Sequence, residues 1–559
     1  MNLAKMGLGA MNAAQYKLTT AAHNVNNSAV EGYNRQTVLT QTAGAKATGA
    51  GYVGRGVQTV TVNRSYDNFL FNQLVQARSG GAALKSYSTE IAQLDTLLSD
   101  RTVGVSPAIE RFFASVNAVA SEPADPAARE EMLGQANNLA TQIRETDAFL
   151  TRQRENLNTQ ITTMVDQVNS YLERINDANQ QIVKARASAS PHAPNDLLDQ
   201  RDQLLKELNE LVGVKVFEQE GRFNLSIGNG QVVLSGSEVY HLQAMRSEGD
   251  PTRIVVGITR TDSTGARVPV EMDESTIQGG ELGGLISYRK DVLDSVQNNL
   301  GRLAMGLASA FNEAHVQGHD LNGDLGQAFF QVGGPKLIPE LAGFGAEIAD
   351  VNGLTGHDYR VNPVFGAGGA LEQFEITNLS TGVGPVTIDK DDVYEGLKFS
   401  YTGTQAGAAP VNVQPTRYAA SGVPAGGATP GMPSGLQVLI TDPAKIAAAG
   451  VNTGTANGDN ALNLAKLQFS KELGGGTMSI TEAFSQIVNK IGVSSQQNAT
   501  ALKAQESLIN QTYAAQQQVS GVNLNEEYVN IENALEMFRA ASKMIEVSST
   551  MFDTLLSMR

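Results

Sequence analysis

The chain has 559 residues, enough for three or four domains at roughly 150 residues each, and its 41 basic and 57 acidic side chains leave a net charge of −16. That balance argues against nucleic-acid binding by bulk charge, and the absence of cysteine excludes disulfide scaffolds, thiolate metal sites and cysteine nucleophiles. No apolar run approaches the ~18 residues of a membrane span, so no membrane insertion is expected.

All 17 prolines fall between Pro107 and Pro443, so the first 106 and last 116 residues lack the strongest helix breaker. Near the N-terminus Ala4, Leu8, Met11, Gln15, Leu18, Ala22 and Val25 recur in steps of three and four, the rhythm of a helix with one stripe of mostly small residues. The opening MNLAKMGLGAMNAAQYKL has neither the long apolar stretch nor the small-residue cleavage site of a secretory signal, so no cleavable signal peptide is expected. Gly49, Gly51 and Gly54 spell GxGxxG, but a dinucleotide site requires a helix next. The following VQTVTVNR alternates like a strand, which predicts a hairpin or loop instead.

From Pro126 to about Arg186, Leu157, Ile161, Met164, Val168, Tyr171, Ile175, Ala178 and Ile182 alternate by four and three, which predicts a helix of forty or more residues. SPHAPNDLLDQ breaks it at 190–200, and Asn195–Asp196 is suited to cap a helix running to about Val212. Further helices are expected from about Gly284 to Val316, with Leu293, Val296, Leu300, Leu303 and Leu307 on one face, and from Thr481 to about Val519. Between them, 214–280 alternates in runs such as VKVFEQEGRFNLSI, and 326–443 is rich in Gly, Pro, Thr and Val. Both read as antiparallel strand and turn.

Enzyme-like patterns fail on their own terms. His315 and His319 have the spacing of two ligands on one helix face, but Val316 replaces the glutamate of a metalloprotease and Gly318 weakens the helix. Asp320, Asn322 and Asp324 begin like a calcium loop, yet Leu325 and Gln331 stand where glycine and glutamate belong, so a turn is expected. Glu526–Glu527 reads as a carboxylate pair just before a helix, favouring its positive end. No catalytic residue, cofactor or metal is expected, and six scattered histidines form no local pattern.

At the C-terminus Tyr528, Ile531, Leu535, Phe538, Ser542, Ile545, Ser549, Phe552 and Leu556 sustain a heptad seam with two serines in it. Residues 1–45 carry Lys5, Lys17 and Arg35 against Glu31, whereas 515–559 carry six carboxylates against Arg539, Lys543 and Arg559. Two striped helices of opposite sign are suited to pair. One thin seam buries too little to offset a backbone entropy of about 1–2 kcal/mol per ordered residue. The pair is therefore expected to stay largely disordered alone and to fold on meeting other subunits.

These elements nest. The fold class expected is α+β multidomain, a long helical coiled-coil and bundle framework made from both chain ends with two inserted antiparallel β-rich domains. Residues 1–45 with 515–559 form the terminal pair; 46–212, 281–325 and 445–514 form a helical bundle domain; 213–280 and 326–444 form the two β-rich units.

The terminal segments resemble the axial proteins of the bacterial flagellum, the family of rod, hook and flagellin subunits. GLGAMNAAQYKLTTAAHNVNNSAVEGYNRQTV (7–38) is similar to the family's rod–hook signature, in which a small-residue helix leads to Asn24-Val25-Asn26-Asn27, then Gly32-Tyr33 and Arg35. It departs from the commoner Asn-x-x-Thr-Pro-Gly-Tyr form in having Val30-Glu31 before the glycine. GYVGRGVQTVTVNRSYDNFLFNQL (51–74) and SGVNLNEEYVNIENALEMFRAASKMIEVSSTMFDTLL (520–556) are similar to the segments that follow and close hook-associated members. FNEAHVQGHDLNGDLGQAFF (311–330) resembles the junction type rather than hook or rod proteins.

The resemblance implies a structural, extracellular protein exported through the flagellar type III apparatus and assembled as a junction zone between hook and filament. Its implied partners are other copies of itself, the hook protein, a second hook–filament junction protein and a cytoplasmic export chaperone on the C-terminal helix, with no nucleic acid. The assembly interface is assigned to Ala4, Leu8, Met11, Leu18, Ala22, Val25, Tyr528, Ile531, Leu535, Phe538, Ile545, Phe552 and Leu556. The alternatives are another axial component, hook protein or flagellin-like, or a surface adhesin carried in the β insertions.

Overall fold

Helical rhythm at both ends becomes helix at both ends. The structure, a computed structural model, describes residues 2–49, 51–98, 104–188, 192–219, 222–261, 267–366, 369–403, 408–417, 435–450 and 454–558. Helix α1 spans Asn2–Asn27, and four strands follow it: β1 Gln36–Thr42, β2 Ala45–Thr48, β3 Gly51–Gly54 and β4 Val57–Arg64. β1 and β4 pair antiparallel from Gln36↔Arg64 to Thr42↔Val57, with a bulge at Leu39/Thr40. β2 and β3 continue as a hairpin from Ala45↔Gly54 to Thr48↔Gly51, which is where the described part of the GxGxxG run lies. Gly44 and Gly56 at its root have φ of 81° and 98°, a left-handed conformation that favours glycine.

The helical body comprises α2 Asn68–Leu98, α3 Val105–Ser121, α4 Pro126–Ser188, α5 Asn195–Leu211, α6 Gly280–Tyr288, α7 Asp294–His315, α8 Asp459–Lys466 and α9 Ile480–Ser520; α10 Leu524–Ser557 closes the chain. The spine is α4, at 63 residues. Its expected stripe is buried at Leu157, Ile161, Val168, Ile175, Ala178 and Ile182, with Met164 and Tyr171 half-buried on the flank. Val165 and Leu172 widen that stripe into a face, because α4 packs on helices and sheet together.

Two local expectations are corrected. Asn195 and Asp196 do not cap α5: Pro194 holds the cap position and both lie in the first turn. Asn195 Nδ2 donates to Val62 O at 2.9 Å and Asp196 accepts from Gln36 Nε2 at 2.7 Å, since β1 and β4 lie against this helix end and supply tertiary partners. The helix expected from Gly284 starts at Gly280 and is divided by a π turn over Arg289–Leu293. The turn places Arg289 in the core, where its guanidinium donates to Ile254 O at 2.6 Å and pairs with Glu274. By contrast α9 starts one residue from the expected position, behind a capping box of Ser479 and Glu482.

The first β-rich stretch forms a four-stranded meander over 214–239 and a three-stranded antiparallel sheet over 242–271. It shares one core with the helices: Leu225, Ile227, Leu234, Val256 and Ile258 cluster with Leu157, Ile161 and Ile175 of α4. Three asparagines of α4 fasten the strand ends by donating and accepting at once. Asn158 bridges Thr252 O and Ile254 N, Asn169 bridges Leu242 O and N, and Asn179 bridges Phe223 O and N.

The second stretch has a core of its own, built from Phe344, Tyr359, Val361, Phe374, Ile376, Phe399, Val411 and Val413. Its five-stranded antiparallel sheet runs Lys336–Ile338, Val411–Gln414, Tyr359–Phe365, Leu371–Asn378, Val386–Asp389, beside a three-stranded sheet. The part of this unit in 418–434 lies outside the described residues. One buried side chain, Arg417, fastens it to the body: it donates to Asn298 of α7 at 3.1 Å and pairs with Asp358 of the second stretch and Asp250 of the first.

Near this join Asp147 of α4 is buried and accepts from Gln297 Nε2 at 3.1 Å. Burial pushes its carboxyl up to about 6, against the opposing pull of Gln297 and Arg154. A carboxyl raised in the folded state disfavours folding once it must ionise, so this contribution improves as pH falls from about 6 to 4. Asp147→Asn is therefore expected to raise stability by up to ~3 kcal/mol at pH 7.5 and to match the parent near pH 4, read from urea unfolding at both pH values.

Candidate assembly interface

The terminal helices lie antiparallel. Asn24 of α1 faces Glu527 of α10, Met11 faces Ser542, and Gly7 faces Ala541 and Ile545. The contact is made by small residues at intervals of seven: Gly7, Ala14 and Ala21 are buried on α1, and Ala534 and Ala541 on α10. A methyl on Gly7 would come within 2.8 Å of Ile545 Cγ1 and 3.2 Å of Ala541 O, so this approach depends on the missing side chain. The other side of α1 packs on the strands, where a methyl on Gly9 would meet Val57 O at 2.7 Å.

The intrachain seam runs one position away from the stripes read in the sequence. Ala4, Met11, Leu18, Ala22 and Val25 are half-buried on its flank, and Leu8 is 49% exposed. On α10, Ile531 and Ile545 are half-buried, while Tyr528, Leu535, Phe538, Phe552 and Leu556 are 58%, 38%, 38%, 60% and 57% exposed. The periodicity is shared by the two sets, but helices this close accommodate alanine and glycine between them and leave the larger side chains outside.

The base of the pair is a polar knot that hydropathy did not mark. Asn24 is 1% exposed and uses its whole amide: Nδ2 donates to Gln36 O at 2.9 Å and Glu527 Oε2 at 3.0 Å, while Oδ1 accepts from Gln36 N at 2.9 Å and Tyr33 Oη at 2.7 Å. Glu527 is equally buried and accepts from Arg35 Nε at 2.8 Å; Arg35 also reaches Glu526 at 2.9 Å. The Arg35 backbone donates to Ser520 O and accepts from Ser65 N. The carboxylate pair lies within the first turn of α10 rather than just before it, at the positive helix end behind the Asn523 cap, and Glu527 in addition turns inward as an anchor.

A second tier fastens the knot to α5. Asp199 accepts from Asn34 N at 2.9 Å and Nδ2 at 2.6 Å, and Arg64 bridges Asp199 and Asp202 at 2.9 and 2.6 Å. The Arg64 guanidinium lies 3.9 Å over the Tyr66 ring. Burial pushes the Asp199 and Asp202 carboxyls up against the pull of Arg64. It also raises the Tyr33 phenol, with the nearby carboxylates adding to the effect, so Tyr33 stays a donor to Asn24. Glu31, where the common signature has proline, sits 3.6 Å from Arg78 of α2.

Elsewhere polar groups are occupied structurally. His315 is buried, with Nδ1 on Gln327 O at 2.6 Å and Nε2 accepting from Ala447 N at 3.0 Å. Asp320 Oδ1 caps a turn by accepting from Asn322 N and Asp324 N, and the Lys445 ammonium lies 3.1 Å from both the Asp320 and Asp324 carboxylates. Among the described residues no group of three or more His, Asp or Glu is placed to hold a metal ion, and no helix is long and apolar enough to cross a membrane.

Residues 91–330 match the family described as the flagellar hook-associated protein FlgK helical domain. Over the full length of both chains, the sequence is 33% identical to flagellar hook-associated protein 1 of Escherichia coli K12 and 32% identical to that of Salmonella typhimurium LT2. The fold is similar to the flagellar hook junction protein FlgK from Burkholderia pseudomallei, with a TM-score of 0.70 at 25% identity over 80% of this chain and 100% of that one.

The knot has a measurable consequence. Arg35→Ala leaves the buried Glu527 carboxylate with only the neutral amides of Asn24 and Asn530 and is expected to lower the hydrogen-exchange protection of α10 amides by about 2–3 kcal/mol. Glu527→Gln, which keeps an acceptor for Asn24, is expected to lower it less, and Lys46→Ala on the exposed hairpin not at all.

Proposed function

The chain belongs to the flagellar hook-associated protein 1 family, and from that premise we propose that it polymerises as the zone joining hook to filament, completing the fold of its terminal helices as it does so. It is a structural component of the bacterial flagellum, and its relatives are structural proteins rather than enzymes.

One observation carries the proposal. Only one side of α10 is covered by α1, and its remaining surface exposes Tyr528, Leu535, Phe538, Met551, Phe552, Leu555 and Leu556. Covering the apolar area these side chains still expose is favourable at roughly 25 cal/mol per Å², and so many large apolar side chains exposed along one helix mark an interaction surface. Other copies, the hook protein and the second junction protein supply that cover in the assembled tube. A cytoplasmic export chaperone supplies it beforehand on the same helix. The terminal pair forms the inner wall, the knot at Asn24, Arg35 and Glu527 sets its angle to the body, and the β-rich stretches face outward.

Export proceeds through the type III apparatus, and α1 stays with the exported chain as the partner of α10, with Gly7 in their contact. A chain without cysteine also has no disulfide to oppose passage in an unfolded state.

Phe538→Asp, or removal of residues 520–559, is expected to leave the middle folded and soluble while abolishing incorporation at the hook tip. Circular dichroism and electron microscopy of flagella from complemented cells check both halves, and normal junctions built by the truncated chain would refute the mechanism. Limited proteolysis of the purified monomer is expected to trim both ends faster than 105–510, as mass spectrometry would show.

A further inference from the structure

The β2–β3 hairpin has no evident task within its own chain. All eight of its strand residues are exposed, Tyr52 to 83% and Val53 to 46%. It stands beyond the contacts that root it on α1, Gly56 against Met6 and Val57 against Gly9. Strand alternation puts Lys46 and Val53 together on one face and Ala47 with Tyr52 on the other. Arg55 follows two residues after Val53. No acidic residue lies between 45 and 56, and among the described residues neither Lys46 nor Arg55 has an ion-pair partner.

A complementary surface exists on α10. Glu532 and Glu536 are exposed one turn apart, with Val529 exposed to 56% beside them, and among the described residues neither carboxylate has an ion-pair partner. Two residues four apart on a helix lie about 6 Å apart, and Lys46 and Arg55, diagonal neighbours across the hairpin because Lys46 opposes Val53 and Arg55 N donates to Gly44 O, lie about 7–8 Å apart. The spacing of the two cations therefore suits that of the two anions, with a valine on each side to cover the other.

In one chain these surfaces stand apart: among the described residues neither Lys46 nor Arg55 pairs with Glu532 or Glu536. Glu532 and Glu536 lie level with the part of α1 between Met11 and Asn24, because Ser542 faces the first and Glu527 the second. The hairpin is rooted at Met6 and Gly9, so at 1.5 Å per residue the offset along the axis is roughly 15 Å.

We propose that the β2–β3 hairpin of one copy lies on the proximal half of α10 of a second copy, with Lys46 and Arg55 against Glu532 and Glu536 and Val53 against Val529. The contact rests on the junction reading, since it joins copies within that assembly. It gives the polymer a polar, register-specific contact that the apolar flank of α10 lacks, because charge complementarity selects orientation more than it adds affinity.

Two full-length, differently tagged copies expressed together in cells lacking their own gene test it, one carrying Val53→Cys and the other Val529→Cys. The chain has no cysteine, so oxidation of isolated flagella has no background within it. A disulfide between the two tags is expected several-fold above a control pair of Val53→Cys with Val393→Cys on the outer β unit. Lys46→Glu with Arg55→Glu is expected to lower incorporation at least roughly tenfold, and adding Glu532→Lys with Glu536→Lys to restore most of it. Incorporation of the charge-reversed hairpin at the parent level, or cross-linking no better than the control in flagella that contain the parent chain, would overturn this contact alone. Absence of the parent chain from hook–filament junctions would overturn the junction reading and the contact with it.

Discussion

The carboxylate of Glu527 is 1% exposed, and a charge so placed persists only where partners surround it. Here they come from far along the chain: Arg35 and Asn24 meet Glu527 across nearly the whole sequence. Arg35 also takes Ser520 O at the turn between α9 and α10, and its own carbonyl holds Ser65 at the end of β4. One buried charge thus fixes the relation of the first helix, the last helix and the strands between them. Asp199 and Asp202 extend the same network to α5 through Asn34 and Arg64. The terminal rod is therefore fastened to the body by polar groups at its base and by the strands beside α1, and the outer side of α10 is left open along its length.

That division of labour suits an assembling subunit. A seam of glycine and alanine brings α1 and α10 close with Ile545 and Met11 packed into it, while Tyr528, Leu535, Phe538 and Phe552 stay outside for other molecules to cover. Had leucine and phenylalanine filled the seam, the pair would be more stable alone and less dependent on neighbours. The middle of the chain follows the opposite logic. Strands 214–271 share the helical core and are tied to α4 by three asparagines, and the second β-rich unit closes a core of its own behind Arg417.

Much of the fold was legible because it depends on period. The α4 stripe from Leu157 to Ile182, the start of α9 at Ser479–Glu482, the proline-free ends and the alternating runs each report local geometry that a chain segment carries with it. What failed was the reading of polar residues by local rules. Asn195 and Asp196 looked like caps and Glu526–Glu527 like a helix-end charge, yet each found a partner that only the folded chain brings near. The quoted terminal motifs contained Asn24, Tyr33, Arg35 and Glu527, but nothing in residue type or spacing marked them as partners of one another.

The sequence alone determined the long helices α4 and α9, the alternating stretches that become strands, the heptad at both ends, and that no thiol chemistry is available; these follow from residue type and spacing and need no partner. Tertiary structure decided which side of each terminal helix faces the other. The heptad is satisfied equally by two adjacent stripes, and the choice between them turns on how closely two backbones approach. That distance was set by Gly7 against Ile545 and by the buried contacts of Glu527, neither of which a hydrophobic period records.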